Sequence, residues 1–232
     1  MEKKKFDLNS IIGFALIFGI ILWMMYNNQE SDLKEQQEKA KQEKIDKANK
    51  KKEVATKEVL SAVVDSTVSD TVKLQKLTGA LGSFAYSATL PSAKESFTTI
   101  ENNLIKLTIA NKGGYISEAI LKNYKKFEKN SGQLVELIKN NNANFNLELQ
   151  TKDNRVLNTK DLFFEPTLTK NGEDQILSMK LKAGPNEFLE YKYVLKAKDY
   201  MLDFDVRSQG LNKVLNTSKT ADLQWDFKTY RN

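Results

Sequence analysis

The side chains that carry most enzyme chemistry are missing from this sequence. Its 232 residues contain no histidine and no cysteine. Histidine is the commonest general base and metal ligand, and cysteine supplies the thiolate nucleophile. Their absence excludes Ser-His-Asp and Cys-His catalysis and makes a zinc or other transition-metal site unexpected. We therefore predict no catalytic residue, no metal ligand, no cofactor and no cofactor-binding residue, and we expect the protein not to be an enzyme.

One pair of carboxylates has a spacing that could support acid–base chemistry. Asp203 and Asp205 are two residues apart, so on a β-strand they would lie on the same face and could mimic a catalytic pair. The residues that alternate with them, Leu202, Phe204 and Val206, are apolar. This alternation places both carboxylates on the solvent side of a strand, which favours a solvated surface over catalysis.

Three aromatic residues could line a sugar or peptide cleft by stacking. Tyr191, Tyr193 and Trp225 all alternate with polar neighbours in the sequence. Alternating positions of this kind face the interior of a half-buried sheet. We therefore expect all three rings to pack in the core.

These residues belong to a region whose hydrophobic pattern has the period of β-strands. From about residue 97, apolar and polar residues alternate in short runs separated by Gly, Asn and Pro turns. The runs lie at 105–109, 115–121, 134–138, 145–149, 162–169, 177–181, 189–195, 202–206 and 223–227. Pro166 cannot donate to a strand ladder, so its strand is expected at a sheet edge. The pattern predicts a mainly β protein with eight or nine antiparallel strands packed sheet on sheet.

The beginning of the chain has the features of a membrane anchor. Residues 8–26 carry no charge, and a helix of this length approaches the ~30 Å hydrocarbon core of a bilayer. Lysines at positions 3–5 precede the run, and Glu30 and Asp32 follow it, so the positive-inside rule places the N-terminus in the cytoplasm. A cleaved signal peptide is the alternative, but no small-residue cleavage pattern follows the run. We predict an uncleaved single-pass span with the bulk of the chain beyond the membrane.

Between the span and the β region lies a polar segment. Residues 30–58 consist mainly of Glu, Lys, Gln and Ala without a sustained heptad, which favours a solvated stalk. Residues 59–96 are rich in Ser, Thr and Ala, which favours a flexible linker whose segment around 81–86 packs on the next domain. We divide the chain into a cytoplasmic tail (1–7), a transmembrane helix (8–26), a linker (27–96) and a β-sandwich domain (97–232). Because the last predicted strand runs almost to the final residue, we expect this domain to be incomplete at its C-terminus.

The stretch 100–124 carries a resemblance to a known family. It contains a predicted strand, a Gly-Gly turn at 113–114, a second strand and a Leu-Lys-x-Tyr motif at 121–124. Together with the lysine-rich start, the single span and the polar linker, this order resembles the N-terminal region of the YidC family of bacterial membrane-protein insertases. The Asn- and Lys-rich composition resembles a Bacteroidetes-type member. A tight turn is sufficient to explain the glycine pair, to which we assign no binding role.

The resemblance implies a periplasmic β-supersandwich, related in shape to sugar mutarotases, tethered to the bacterial inner membrane. It also implies nascent membrane proteins, the Sec translocon and the lipid bilayer as partners. In this family, insertion is carried out by a later five-helix membrane domain with an arginine in its groove. These 232 residues contain no second apolar run of spanning length and no arginine within 8–26, so no groove residue can be transferred. The resemblance thus implies the anchor and the periplasmic interaction domain without the insertase core.

A second function class remains open. The chain could be a membrane-tethered periplasmic β-sandwich module that binds carbohydrate or peptide. Its net charge of +6 is spread over many lysines and is not concentrated beside aromatic residues. This distribution indicates solubility or weak attraction to anionic lipid, and we expect no nucleic-acid partner.

Overall fold

The computed structural model describes residues 70–127 and 132–229, together with Ile17, Phe18, Ile20 and Trp23. These four residues are helical and have exposed side chains. The rest of the predicted tail, transmembrane helix and linker up to residue 69 lies outside the described residues. Among the residues that are described, no helix is long and apolar enough to cross a membrane. The chain divides into two compact units, Met1–Lys51 and Lys52–Asn232, and the architecture below is that of the second.

Helices open the described part of this unit. Helix α1 spans Asp70–Leu81, a 3-10 turn spans Gly82–Phe84, and helix α2 spans Ala85–Ala88. Four of their apolar side chains are buried in the core: Leu77, Leu81, Phe84 and Ala85. The sequence favoured a flexible linker for this stretch, with a packed segment around 81–86. The 3-10 turn between the two helices interrupts the helical spacing of the apolar residues. The stretch therefore does not show the apolar pattern of one continuous amphipathic helix.

Eleven strands follow among the described residues. They are β1 (Phe97–Glu101), β2 (Ile105–Ala110), β3 (Ile116–Lys125), β4 (Leu134–Ile138), β5 (Ala143–Gln150), β6 (Val156–Asn158), β7 (Glu165–Asn171), β8 (Asp174–Lys182), β9 (Phe188–Leu195), β10 (Leu202–Gln209) and β11 (Asp222–Phe227). Every predicted run overlaps one of them. Strand β1 buries only one residue, Ile100, and β6 has three residues, so neither carries a strong alternating pattern.

The strands form three antiparallel sheets. Their orders are β1-β2-β3-β4, β10-β9-β8-β7 and β11-β5-β6. This arrangement confirms the predicted mainly antiparallel β class. Strand β7, which contains Pro166, lies at the edge of its sheet, as the sequence predicted.

The core lies where the inner faces of these sheets meet. Strands β8 and β9 supply its centre, with Leu177, Met179 and Tyr191 fully buried. The turn between β2 and β3 is joined to the segment before β7 by two backbone hydrogen bonds. The N–H of Phe164 donates to the carbonyl of Asn111, and that of Gly113 donates to the carbonyl of Leu162, both at 2.8 Å. These bonds fix one end of the first sheet against the core.

Candidate functional site

The two candidate acid–base residues lie on the outer face of β10. Both carboxylates are exposed. The Nζ of Lys196 lies 3.3 Å from Oδ2 of Asp203, and an Nη of Arg207 lies 2.9 Å from Oδ2 of Asp205. Each carboxylate therefore forms a surface ion pair with its own cation, as expected for the solvated face of a strand.

Tyr191 and Tyr193 are buried in the core, as the sequence predicted. The Tyr191 ring lies 4.7 Å from that of Phe164, centroid to centroid. Burial raises the pKa of both phenol groups well above its usual range. Both hydroxyls are therefore neutral at physiological pH.

Trp225 lies outside the core, so the prediction that it packs there is wrong. Its side chain is 73% exposed. The alternation along β11 correctly gives the face on which the ring lies. However, β11 is the outermost strand of its sheet, and no described element covers this face.

The Trp225 ring borders a cleft with mainly apolar walls, which we call the apolar cleft. Its lining includes Ile116, Ile138, Phe145, Tyr193, Phe204 and Trp225, around a volume of about 280 Å³. The Phe204 ring stacks on Tyr193 at 4.8 Å and meets Phe145 edge to face at 5.4 Å. Among the residues that the structure describes, no charged side chain lines the cleft. The cleft is therefore suited to receive apolar side chains.

A second depression, the polar groove, lies beside β2 and β3. It encloses about 620 Å³ and includes Glu95, Phe97, Lys112, Tyr115, Glu118 and Lys160 in its lining. Two carboxylates of the groove have polar partners. The Nζ of Lys112 lies 3.2 Å from Oε1 of Glu95, and the hydroxyl of Thr108 donates to Oε2 of Glu118 at 3.0 Å. The groove combines hydrogen-bonding groups with an exposed ring, Phe97, as sugar- and peptide-binding surfaces do.

Sequence patterns did not identify the polar groove because its residues come from separate segments. Glu95 precedes β1, Lys112 lies in the turn after β2, and Lys160 lies in the 3-10 turn Thr159–Asp161. Only the fold brings these segments together. Within 70–127 and 132–229, no group of three or more acidic side chains is placed to hold a metal ion.

Comparison with known proteins connects this architecture to one family. The model of the YidC periplasmic domain family matches residues 98–231. A curated relative from Parabacteroides distasonis, named membrane protein insertase YidC, is 34% identical over 226 residues, covering 95% of this chain and 34% of the relative. Proteins of the same name from Azobacteroides pseudotrichonymphae and Porphyromonas gingivalis are each 29% identical, covering 94% and 97% of this chain and 32% and 34% of those relatives.

The chain thus spans about a third of the length of these curated relatives. No solved structure matches it. The family model covers the chain from the second residue of β1 to beyond β11, and therefore every strand that forms the apolar cleft. With a family match over more than half of its length, this chain belongs to the YidC family of membrane protein insertases and carries that family's periplasmic domain.

Proposed function

We propose that this chain supplies the membrane anchor and the periplasmic interaction domain of a YidC-type insertase, which aids insertion and folding of inner-membrane proteins. The observation that carries the proposal is the match of the periplasmic-domain family over residues 98–231. The names of the curated relatives support it. This chain corresponds to about a third of those relatives, and we place the insertion step in the part of the relatives that it does not match.

The proposed topology follows the charge pattern of the sequence. The tail (1–7) lies in the cytoplasm, residues 8–26 span the inner membrane, and a linker from residue 27 leads to the periplasmic domain. Helix α1 and the 3-10 turn that follows it pack against this domain through Leu81 and Phe84. Nascent membrane proteins and components of the Sec translocon are the proposed partners.

The proposed role is binding and not catalysis. Asp203 and Asp205 each form a surface ion pair with a basic residue. The buried phenols of Tyr191 and Tyr193 remain protonated. The polar groove is a concave, accessible surface with charged and aromatic groups, and we assign partner contact to it.

Site-specific crosslinking tests this assignment. A photoreactive amino acid replaces Phe97, at the groove, in the full-length protein within native membranes. The matched control replaces Lys170, near the β7–β8 turn and away from the groove lining. We expect crosslinks from position 97 to a nascent inner-membrane protein or a translocon subunit, and fewer from position 170. Equal or absent crosslinking at both positions would contradict the assignment of partner contact to the groove.

The polar groove also favours a second candidate function, binding of a carbohydrate or peptide. Phe97 is 65% exposed at its edge, and Lys112 lies beside it. A ligand that binds only the folded state raises the melting temperature in a saturable manner. Saturable stabilisation by an oligosaccharide or peptide, abolished by Phe97→Ala but not by Leu168→Ala on β7, would support this function over partner contact.

A further inference from the structure

Two exposed tyrosines meet where β3 of the first sheet approaches the turn between β9 and β10 of the second. Tyr124 lies in β3, and Tyr200 lies in the turn. Their ring centroids are 6.0 Å apart, and the ring planes are inclined at 57° to each other. The side chains are 53% and 37% exposed. Both rings are therefore close to each other and accessible from solvent, although they are far apart in the sequence.

Hydrogen bonds to a single residue hold the two backbone segments that carry these rings. The side-chain amide of Asn102, which follows β1, donates to two carbonyls of the β9–β10 turn at 2.7 Å each. One of these carbonyls belongs to Asp199, directly before Tyr200. The backbone carbonyl of Asn102 accepts a hydrogen bond of 2.6 Å from Nζ of Lys122, two residues before Tyr124. The fold therefore holds both tyrosines at one place.

The combination of contact and exposure is specific to this pair. Among the residues that the structure describes, Tyr124 and Tyr200 form the only contact between two tyrosine rings. The remaining described tyrosines are buried or half-buried: Tyr86, Tyr115, Tyr191 and Tyr193. An oxidant in solvent therefore reaches both members of one tyrosine pair at once.

We propose that Tyr124 and Tyr200 form an oxidative cross-link site, at which a one-electron oxidant joins the two rings as dityrosine. Each phenol loses one electron to the oxidant and its hydroxyl proton to water. The two phenoxyl radicals couple by forming a carbon–carbon bond between ring carbons ortho to the hydroxyls. The two ortho protons move through water to the hydroxyl oxygens, so the product lacks two hydrogen atoms. Because the rings are already in contact, coupling within one chain is favoured over coupling between chains.

This cross-link joins the first sheet to the second and closes a long loop of the chain. Covalent links between distant residues stabilise a fold by restricting the unfolded chain, and the effect grows with loop length. Disulfides supply such links in oxidising compartments, including the bacterial periplasm. This chain carries a periplasmic domain, yet its 232 residues contain no cysteine. The tyrosine pair therefore offers oxidative stabilisation of the domain without a thiol.

Photo-oxidation of the dilute 232-residue chain in a mild detergent tests the proposal. A ruthenium(III) polypyridyl complex, generated by light, is the one-electron oxidant. Proteolytic digestion and mass spectrometry then identify linked peptides, whose mass is lower than the sum of the two peptides by two hydrogen atoms. Tyr124→Phe and Tyr200→Phe each keep the ring but remove one phenol. Tyr115→Phe is the matched control, because Tyr115 makes no tyrosine ring contact in the described part of the chain.

We expect the link between Tyr124 and Tyr200 to be about ten-fold more abundant than any other dityrosine in the monomeric chain. Either phenylalanine variant of the pair should abolish this link, and Tyr115→Phe should leave it unchanged. Dityrosine spread evenly over several tyrosines, or confined to dimers of the chain, would overturn the proposal. Oxidation of the exposed Met201 or Trp225 without this link would also overturn it, because these side chains would then intercept the oxidant.

Unfolding before oxidation separates the contact from the intrinsic reactivity of the two tyrosines. In urea the contact is lost, so the preference for this pair should fall to the level of other tyrosine pairs. A preference that persisted in urea would contradict a site made by the fold. When oxidation precedes unfolding, the linked chain should melt about 5 °C or more above Tyr200→Phe treated in the same way. Equal melting temperatures would contradict the stabilising effect assigned to the link.

Discussion

The hydroxyl of Tyr193 donates a buried hydrogen bond of 2.7 Å to the carbonyl oxygen of Gly114. This bond joins β9, whose sheet supplies the centre of the core, to the turn that leads into β3. The same Tyr193 ring stacks on Phe204 at the apolar cleft. One side chain therefore couples two sheets and supports one wall of the cleft.

Removing this hydroxyl should destabilise the domain. Tyr193→Phe keeps the ring but leaves the carbonyl oxygen of Gly114 buried without its donor, at a cost of about 1–3 kcal/mol. The measurement is the free energy of unfolding in urea, followed by far-UV circular dichroism on the chain in a mild detergent. Tyr124→Phe is the control because Tyr124 is 53% exposed, and it should change the free energy by less than about 0.5 kcal/mol. Equal losses for the two variants would contradict the role of the buried bond.

Gly114 is expected to tolerate no side chain. Its φ of +66° lies in the left-handed region, and an added Cβ would approach the Tyr191 and Phe164 rings at 3.0 and 3.1 Å. Gly114→Ala should therefore combine backbone strain of about 1–2 kcal/mol with a crowding cost of about 1–3 kcal/mol. Urea unfolding measures the total loss.

Gly172→Ala provides the matched control for this substitution. Gly172 has a nearly equal φ of +62°, but an added Cβ meets no atom within 4 Å. Gly172→Ala should lose only the free energy of unfolding that the backbone strain costs. The difference between the two variants therefore measures the crowding of the added Cβ against the aromatic core. If both variants lost the same free energy, the rings would have room to move and the core around Gly114 would be loosely packed.

The acid stability of the domain should depend on Glu136. Its carboxylate lies 2.8 Å from Nζ of Lys126 and 3.2 Å from Nζ of Lys139. Hydrogen bonds from Lys126 and then Lys139 lower the pKa of Glu136 below its ordinary value of 4.5. A carboxyl group whose pKa is lower in the folded state binds fewer protons there, so its stabilising effect is present above pH 4.5 and is lost as the pH falls below that value.

Thermal unfolding of Glu136→Gln at several pH values measures this dependence. At neutral pH the variant should melt at most about 3 °C below the wild type, because the pair is partly exposed and screened by water. The difference should shrink toward zero as the pH falls below 4.5, and also at about 1 M salt. A difference that stayed constant with pH would indicate that Glu136 contributes by packing and not by charge.

Local alternation was sufficient to predict most of the strands, because a half-buried strand repeats every two residues. It also gave the correct inner face for Tyr191, Tyr193 and Trp225. Alternation does not report what covers a face, and for this reason Trp225 was wrongly placed in the core. The polar groove was missed for a related reason: Glu95, Lys112 and Lys160 are brought together by tertiary contacts that no local pattern encodes.

The helical stretch 70–88 illustrates a different limit. Its Ser, Thr and Gly content favoured a linker, and the turn that begins at Gly82 breaks the apolar period. The sequence did predict that the segment around 81–86 packs on the domain, and Leu81 and Phe84 are buried in the core. It did not predict the helix Asp70–Leu81, whose packing through Leu77 depends on tertiary contacts that no local pattern shows.

If residues 70–88 are part of the folded domain, truncation of the Phe84 side chain should strongly destabilise that domain. Phe84 is fully buried within the core cluster, and Phe84→Ala should cost about 3–5 kcal/mol through lost burial and the cavity left behind. Leu74→Ala, on the exposed side of α1, should cost less than about 0.5 kcal/mol because Leu74 is 47% exposed. Urea unfolding of both variants measures the contrast. A Phe84→Ala variant as stable as Leu74→Ala would show that residues 70–88 behave as a linker after all, and that the sheets fold without them.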